Sequence, residues 1–134
     1  TGPYVQYTHA RCASVLRNAK EQFGDSIESL CGTGSIQGSL PDISALTSPA
    51  AFELAKDIYQ LPVIIKEAAE KYEPSVITRH IVDIAQGYNK FYHDEHILVE
   101  DAAERRAKLM LTEAARQAIA NGLSLLGIKA PDRM

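Results

Sequence analysis

The chain has 134 residues, 46% apolar and 23% charged, with a formal net charge of −3. That length and apolar content suffice for one globular core and exclude a disordered chain. No run of about 18 apolar residues exists to cross a membrane as a helix, no signal-peptide pattern is visible, and the negative charge argues against a protein that coats duplex nucleic acid while leaving room for a reader of single-stranded loops.

The first predicted element is a long helix from about Tyr4 to Phe23, stopped by Gly24. At about 100° per residue, Val5, Thr8, Cys12, Val15, Leu16, Ala19 and Phe23 share one apolar stripe. Tyr4, Tyr7 and Arg11 run along its edge, followed by Ser14 and Asn18: two phenol rings and a guanidinium suited to stacking on planar ligands and donating hydrogen bonds. Cys12 on the stripe reads as a buried free thiol; with only Cys31 besides, no disulfide framework is expected. Residues 24–47 are polar, with Gly32, Gly34, Gly38 and Pro41, and are expected to be irregular apart from a turn at Ser26–Leu30.

Ser48-Pro49 has the form of an N-cap followed by proline at the first helical position. It opens a second predicted helix that Leu61-Pro62 breaks, starting a third that ends at Glu73-Pro74. A fourth carries Ile77, Ile81, Ile84, Tyr88 and Phe91 at 4-3-4-3 spacing, a packed-bundle seam. A charged loop over 93–100 follows. Asp101 opens a fifth helix that buries Ala107, Leu111, Ala114, Ala115, Ala118 and Ile119 and ends at Gly122. Leu123–Gly127 is expected to form one more short turn before an extended tail to Met134. Tyr59, Tyr72 and Tyr88 fall on apolar stripes and are assigned to the core or its rim. With no period-two pattern, the chain is predicted to be all-α: a bundle of about five helices plus a short C-terminal turn and tail, in a single domain over 1–134.

Tyr4-Val5-Gln6-Tyr7-Thr8-His9-Ala10-Arg11 resembles the opening helix of the C-terminal anticodon-binding domain of arginyl-tRNA synthetases. Ala120-Asn121-Gly122-Leu123-Ser124-Leu125-Leu126-Gly127-Ile128 with Ala130-Pro131-Asp132-Arg133-Met134 is similar to that family's last helix and tail, and Asp83–Ala85 through Asn89-Lys90-Phe91-Tyr92 is a third match. The resemblance implies a helical domain that binds the anticodon stem-loop of arginine tRNA through Tyr4, Tyr7, Arg11, Tyr92 and Met134. It also implies an N-terminal catalytic domain, outside this sequence, that ligates arginine to its tRNA with ATP and magnesium in the cytoplasm. Where the family often has a neutral Cys-Pro turn, this chain has His93-Asp94-Glu95-His96-Ile97.

No catalytic site is expected within the chain, because it has neither a class I synthetase signature nor a phosphate-cradling glycine loop. No cofactor or metal is expected: His93 and His96 supply two imidazoles in a charged segment with no third ligand nearby. The competing readings are the helical domain of a glycyl or cysteinyl synthetase, and a helical protein-interaction module without RNA contact. Convergence of the five named side chains on one exposed face would favour RNA binding; scatter or burial would favour the interaction module.

Overall fold

A computed structural model describes residues 1–26, 30 and 43–134. Among the described residues there are four α-helices and no strand: α1 (Gly2–Phe23), α2 (Pro49–Lys71), α3 (Ser75–Asp94) and α4 (Ala102–Leu125), with a 3-10 turn at Ile43–Ala45 before α2. The expected turn at Ser26–Leu30 falls on residues 27–29, outside the described residues, as do Cys31 and the glycines at 32, 34 and 38. α4 packs against α1, α2, α3 and the 3-10 turn, and α3 lies along both α2 and α4.

The caps are those the residue types favour. Gly24 ends α1 with φ 73°, and Ser48 Oγ accepts from Ala51 N at 3.1 Å at the start of α2. Asp101 Oδ1 accepts from Ala103 N at 3.1 Å at the start of α4. The predicted seam of α3, Ile77, Ile81, Ile84, Tyr88 and Phe91, is buried throughout.

Three expectations are corrected. The break at Pro62 does not occur: α2 runs unbroken across it. Leu54, Leu61 and Ala68 are buried at seven-residue spacing, so the apolar stripe stays in phase through the proline. Pro62 itself faces solvent, where water can satisfy the carbonyl its missing N–H leaves free. Two expected helices are therefore one, and among the described residues the bundle has four helices instead of about five.

Gly122 does not end α4; it is buried inside the helix, and a Cβ there would collide with Cγ2 of Ile81 on α3. The helix runs three residues further to Leu125, and Gly127 (φ 74°) follows its C-cap Leu126, where Ile128 N donates to Leu123 O at 2.9 Å and Gly127 N to Ser124 O at 3.0 Å. The third correction concerns tyrosines: Tyr88 is fully buried, but Tyr59 is 86% and Tyr72 92% exposed. Tyr59 lies about 140° round the helix from Leu54, and Tyr72 sits in the left-handed C-cap position of α2.

The charged loop before α4 is tied inward. Arg105 Nε contacts Asp25 Oδ2 at 2.7 Å with both side chains buried, its Nη1 donates to Val99 O and Glu100 O, and its guanidinium lies 3.9 Å above the Phe23 ring. Lys108 Nζ donates to His96 O at 2.8 Å and pairs with Glu104 at 3.0 Å. Glu95 Oε2 accepts from Ser48 Oγ at 2.7 Å, so this acidic residue of the loop is tied to the cap of α2.

Gly122→Ala is expected to destabilise the fold by about 1–3 kcal/mol, because the stiff β-branched Ile81 must shift; urea unfolding of the variant checks this. Burial pushes the Cys12 thiol from 9.0 up to about 12, and it pushes the Tyr88 phenol up as well. Above pH 9 the unfolded chain sheds a proton that the folded chain keeps. This contribution is thus complete below pH 9 and is lost as pH rises toward 12. Urea unfolding at pH 8.5 and 10.5 should show falling stability, with a shallower fall in Cys12→Ala.

Candidate functional site

α1 serves three surfaces at once. Val5, Thr8, Cys12, Val15 and Ala19 face the core. Gln6, His9 and Arg17 face the C-terminal tail. Tyr4, Tyr7, Arg11 and Ser14 face outward into a groove of about 550 Å³. A period of 3.6 residues makes this division possible, since each set recurs on its own side of the helix.

The tail runs along α1 in the helix's own direction, held by three side-chain hydrogen bonds to its carbonyls. Gln6 Nε2 donates to Lys129 O at 2.9 Å and Arg17 Nη1 to Asp132 O at 3.0 Å. His9 Nδ1 lies 2.9 Å from Pro131 O; facing a carbonyl, it must carry the ring proton. His9 is almost completely buried. These bonds bring Asp132, Arg133 and Met134 to the groove wall beside Tyr4, Tyr7 and Arg11.

The opposite wall comes from α3. Asn89 Oδ1 accepts from Arg11 Nη1 at 2.7 Å. Asn89 Nδ2 donates to Tyr4 Oη at 3.0 Å and to Thr8 Oγ1 at 2.9 Å. The guanidinium of Arg11 also lies 4.7 Å over the ring of Tyr92, a cation–π contact, and Tyr92 meets His93 edge to face at 5.5 Å. One face of the Arg11 plane is thus used within the protein, while several of its five donors remain for a ligand.

Tyr4, Tyr7, Arg11 and Met134 line the one groove, and Tyr92 joins them through Arg11. Tyr7 is the most open of the tyrosines here, at 60% exposure, and its ring is accessible to a planar partner. Sequence reasoning missed Asn89, His9, Gln6, Arg17 and Arg133. Asn89 adjoins the α3 seam residue Tyr88 and lies three positions before Tyr92, so a polar residue on the flank of an otherwise apolar seam was the available signal. His9, buried opposite the tyrosine row, had none until the tail was placed. Despite the net charge of −3, Arg11, Arg17 and Arg133 make the groove locally cationic. Asp132 also lies at its edge.

Among the described residues no group of three His, Cys, Asp or Glu side chains could hold a metal ion, and no helix is long and apolar enough to cross a membrane.

The sequence profile of the DALR anticodon binding domain family matches residues 5–134. The arginine–tRNA ligase of Alkaliphilus metalliredigens is 47% identical over all of this chain, and that of Clostridioides difficile 42%. Among solved structures, Thermus thermophilus arginyl-tRNA synthetase superposes with a TM-score of 0.79 at 33% identity over the whole chain. The chain spans 21% of the length of each of these relatives.

His9→Ala should free the tail at Pro131, cost about 1–3 kcal/mol of stability by leaving buried groups unpaired, and speed carboxypeptidase trimming of the last residues. Trimming at the parent's rate would show that the histidine does not hold the tail.

Proposed function

This chain belongs to the DALR anticodon binding domain family, and we propose that it holds the anticodon stem-loop of arginine tRNA as one domain of a cytoplasmic arginine–tRNA ligase. The observation that carries this reading is the convergence of Tyr4, Tyr7, Arg11, Tyr92 and Met134 about a single exposed groove with a local excess of guanidinium groups. Scattered or buried positions would have favoured a protein-interaction module. The relatives described above are arginine–tRNA ligases and an arginyl-tRNA synthetase by name, which favours arginine over the glycyl and cysteinyl alternatives.

In this reading the exposed rings of Tyr7 and Tyr92 stack on unpaired bases of the loop. Arg11, already oriented by Asn89 and Tyr92, offers its remaining donors to a base edge or a phosphate. Met134 adds apolar contact at the groove wall, and Arg17 and Arg133 add phosphate contacts. Holding the anticodon arm here fixes the whole tRNA, so that its acceptor end reaches a catalytic domain elsewhere in the full-length protein. ATP and magnesium act in that domain. Among the described residues of this chain no group of three His, Cys, Asp or Glu side chains could hold a metal ion, and no step of ligation is assigned to it.

The chain should bind arginine tRNA in preference to non-cognate tRNAs in a direct titration. Tyr7→Ala should weaken that binding by about 1–3 kcal/mol, the usual contribution of one stacked base, while Tyr7→Phe keeps the ring and should lose little. Because Tyr7 is exposed, neither variant should change the melting temperature appreciably. A Tyr7→Ala protein that stays folded and binds like the parent would remove the central stacking residue.

A further inference from the structure

We infer that the hydroxyl of Tyr4 is held with its proton directed into the groove, as a hydrogen-bond donor for an acceptor atom of the bound RNA loop, and that Asn89 is the positioning residue that fixes this polarity. The inference rests on the function proposed above and adds to it the direction of one hydrogen bond.

The polarity follows from Arg11. A guanidinium has five N–H donors and no acceptor. Arg11 Nη1 lies 2.7 Å from the carboxamide of Asn89, so the atom facing it must be the oxygen; an amide nitrogen there would set donor against donor. The Asn89 amide is thereby oriented by chemistry. Its nitrogen faces α1, and its two hydrogens go to Tyr4 Oη at 3.0 Å and Thr8 Oγ1 at 2.9 Å. Thr8 sends its own proton to Tyr4 O at 3.0 Å, so its hydroxyl oxygen is free to accept. The phenol oxygen of Tyr4 likewise accepts, which leaves its proton over. Among the described residues no group takes that proton, and the ring lines the groove.

A donor presented this way selects by chemistry. It pairs with a base carbonyl oxygen, an imine ring nitrogen or a backbone oxygen, and it meets the exocyclic amino group of cytosine or adenine donor to donor. Tyr4 therefore differs in role from Tyr7, which offers a ring face. The device also explains why Arg11, Asn89, Thr8 and Tyr4 form one connected chain of bonds from α3 to α1: each member sets the direction of the next.

The test is a double-mutant cycle read by binding of an RNA hairpin that carries the arginine tRNA anticodon stem and loop. Tyr4→Phe removes the proton and should weaken binding by about tenfold, in line with one lost hydrogen bond, with the melting temperature unchanged. Asn89→Asp replaces the amide donor with a second acceptor. It keeps the pair to Arg11 but draws the Tyr4 proton back toward α3, turning a lone pair to the RNA. Its added negative charge acts equally with or without the phenol and cancels in the cycle.

Asn89→Asp should consequently weaken the parent by a larger factor than it weakens Tyr4→Phe. Equal factors in the two backgrounds, or parent-like binding by Tyr4→Phe, would overturn the inference while leaving RNA binding in place. No hairpin binding by the parent chain would overturn the proposed function and the inference with it. Repeating the Tyr4→Phe measurement on hairpins with one loop base removed at a time separates the two acceptor sources. A penalty that disappears at one position assigns the acceptor to that base, and one that persists at every position assigns it to the backbone.

Discussion

Arg11 can only donate, and it is pinned between the oxygen of Asn89 and the ring of Tyr92. That constraint joins α1 to α3 on the groove side and sets the geometry of everything around it. Asn89 must turn its nitrogen toward α1, so Tyr4 and Thr8 become acceptors; Tyr92 is held at the groove edge by the cation above it. Removing the guanidinium would leave the Asn89 oxygen unpaired, the carboxamide free to flip and the two walls of the groove joined by fewer bonds. The groove is thus built from a polar chain laid over an apolar core, and the two share α1 through its helical period.

The rest of the fold supplies rigidity to that helix. On its tail side, Gln6, His9 and Arg17 bind three carbonyls of the last residues. At its C-terminal end, Gly24 turns the chain so that Asp25 meets Arg105 on α4 in a buried pair. Such a pair need not add much net stability, since desolvation offsets its attraction, but losing one partner strands a buried charge, which makes the pair a strong determinant of where α1 ends against α4. Along α4, Gly122 keeps the surface low, so that α3 approaches until Ile81 occupies the space a Cβ would need there. Close packing of α3 on α4 and anchoring of α1 on α4 together fix the spacing between the groove walls.

The parts of this arrangement that periodicity encodes were readable from the residues. The stripe of α1, the 4-3-4-3 seam of α3 and the caps at Gly24, Ser48 and Asp101 all stand where their patterns put them. Patterns failed where one residue type permits two outcomes. Pro62 breaks a helix when its stripe loses phase, but Leu54, Leu61 and Ala68 keep theirs. Gly122 can cap a helix or let two helices touch, and only the position of Ile81 decides. Tyr59 and Tyr72 are apolar enough for a core yet lie off the buried face of α2. The candidate site divided in the same way. Its tyrosines and Arg11 were legible as an edge row, whereas Asn89, His9 and Glu95 hydrogen-bond to partners 47 to 122 residues away, at 47 for Glu95 and Ser48 and at 122 for His9 and Pro131. No local spacing reports such partners.

Chemical-shift mapping of the isotopically labelled chain, titrated with the arginine tRNA anticodon hairpin, tests whether the groove between α1, α3 and the tail is the RNA-binding surface. The largest changes should cluster on Tyr4, Tyr7, Arg11, Asn89, Tyr92 and the tail from Pro131 to Met134, with α2 nearly unchanged. Changes concentrated on the exposed apolar side chains of α2, Phe52, Tyr59 and Val63, with the groove silent, would contradict that assignment.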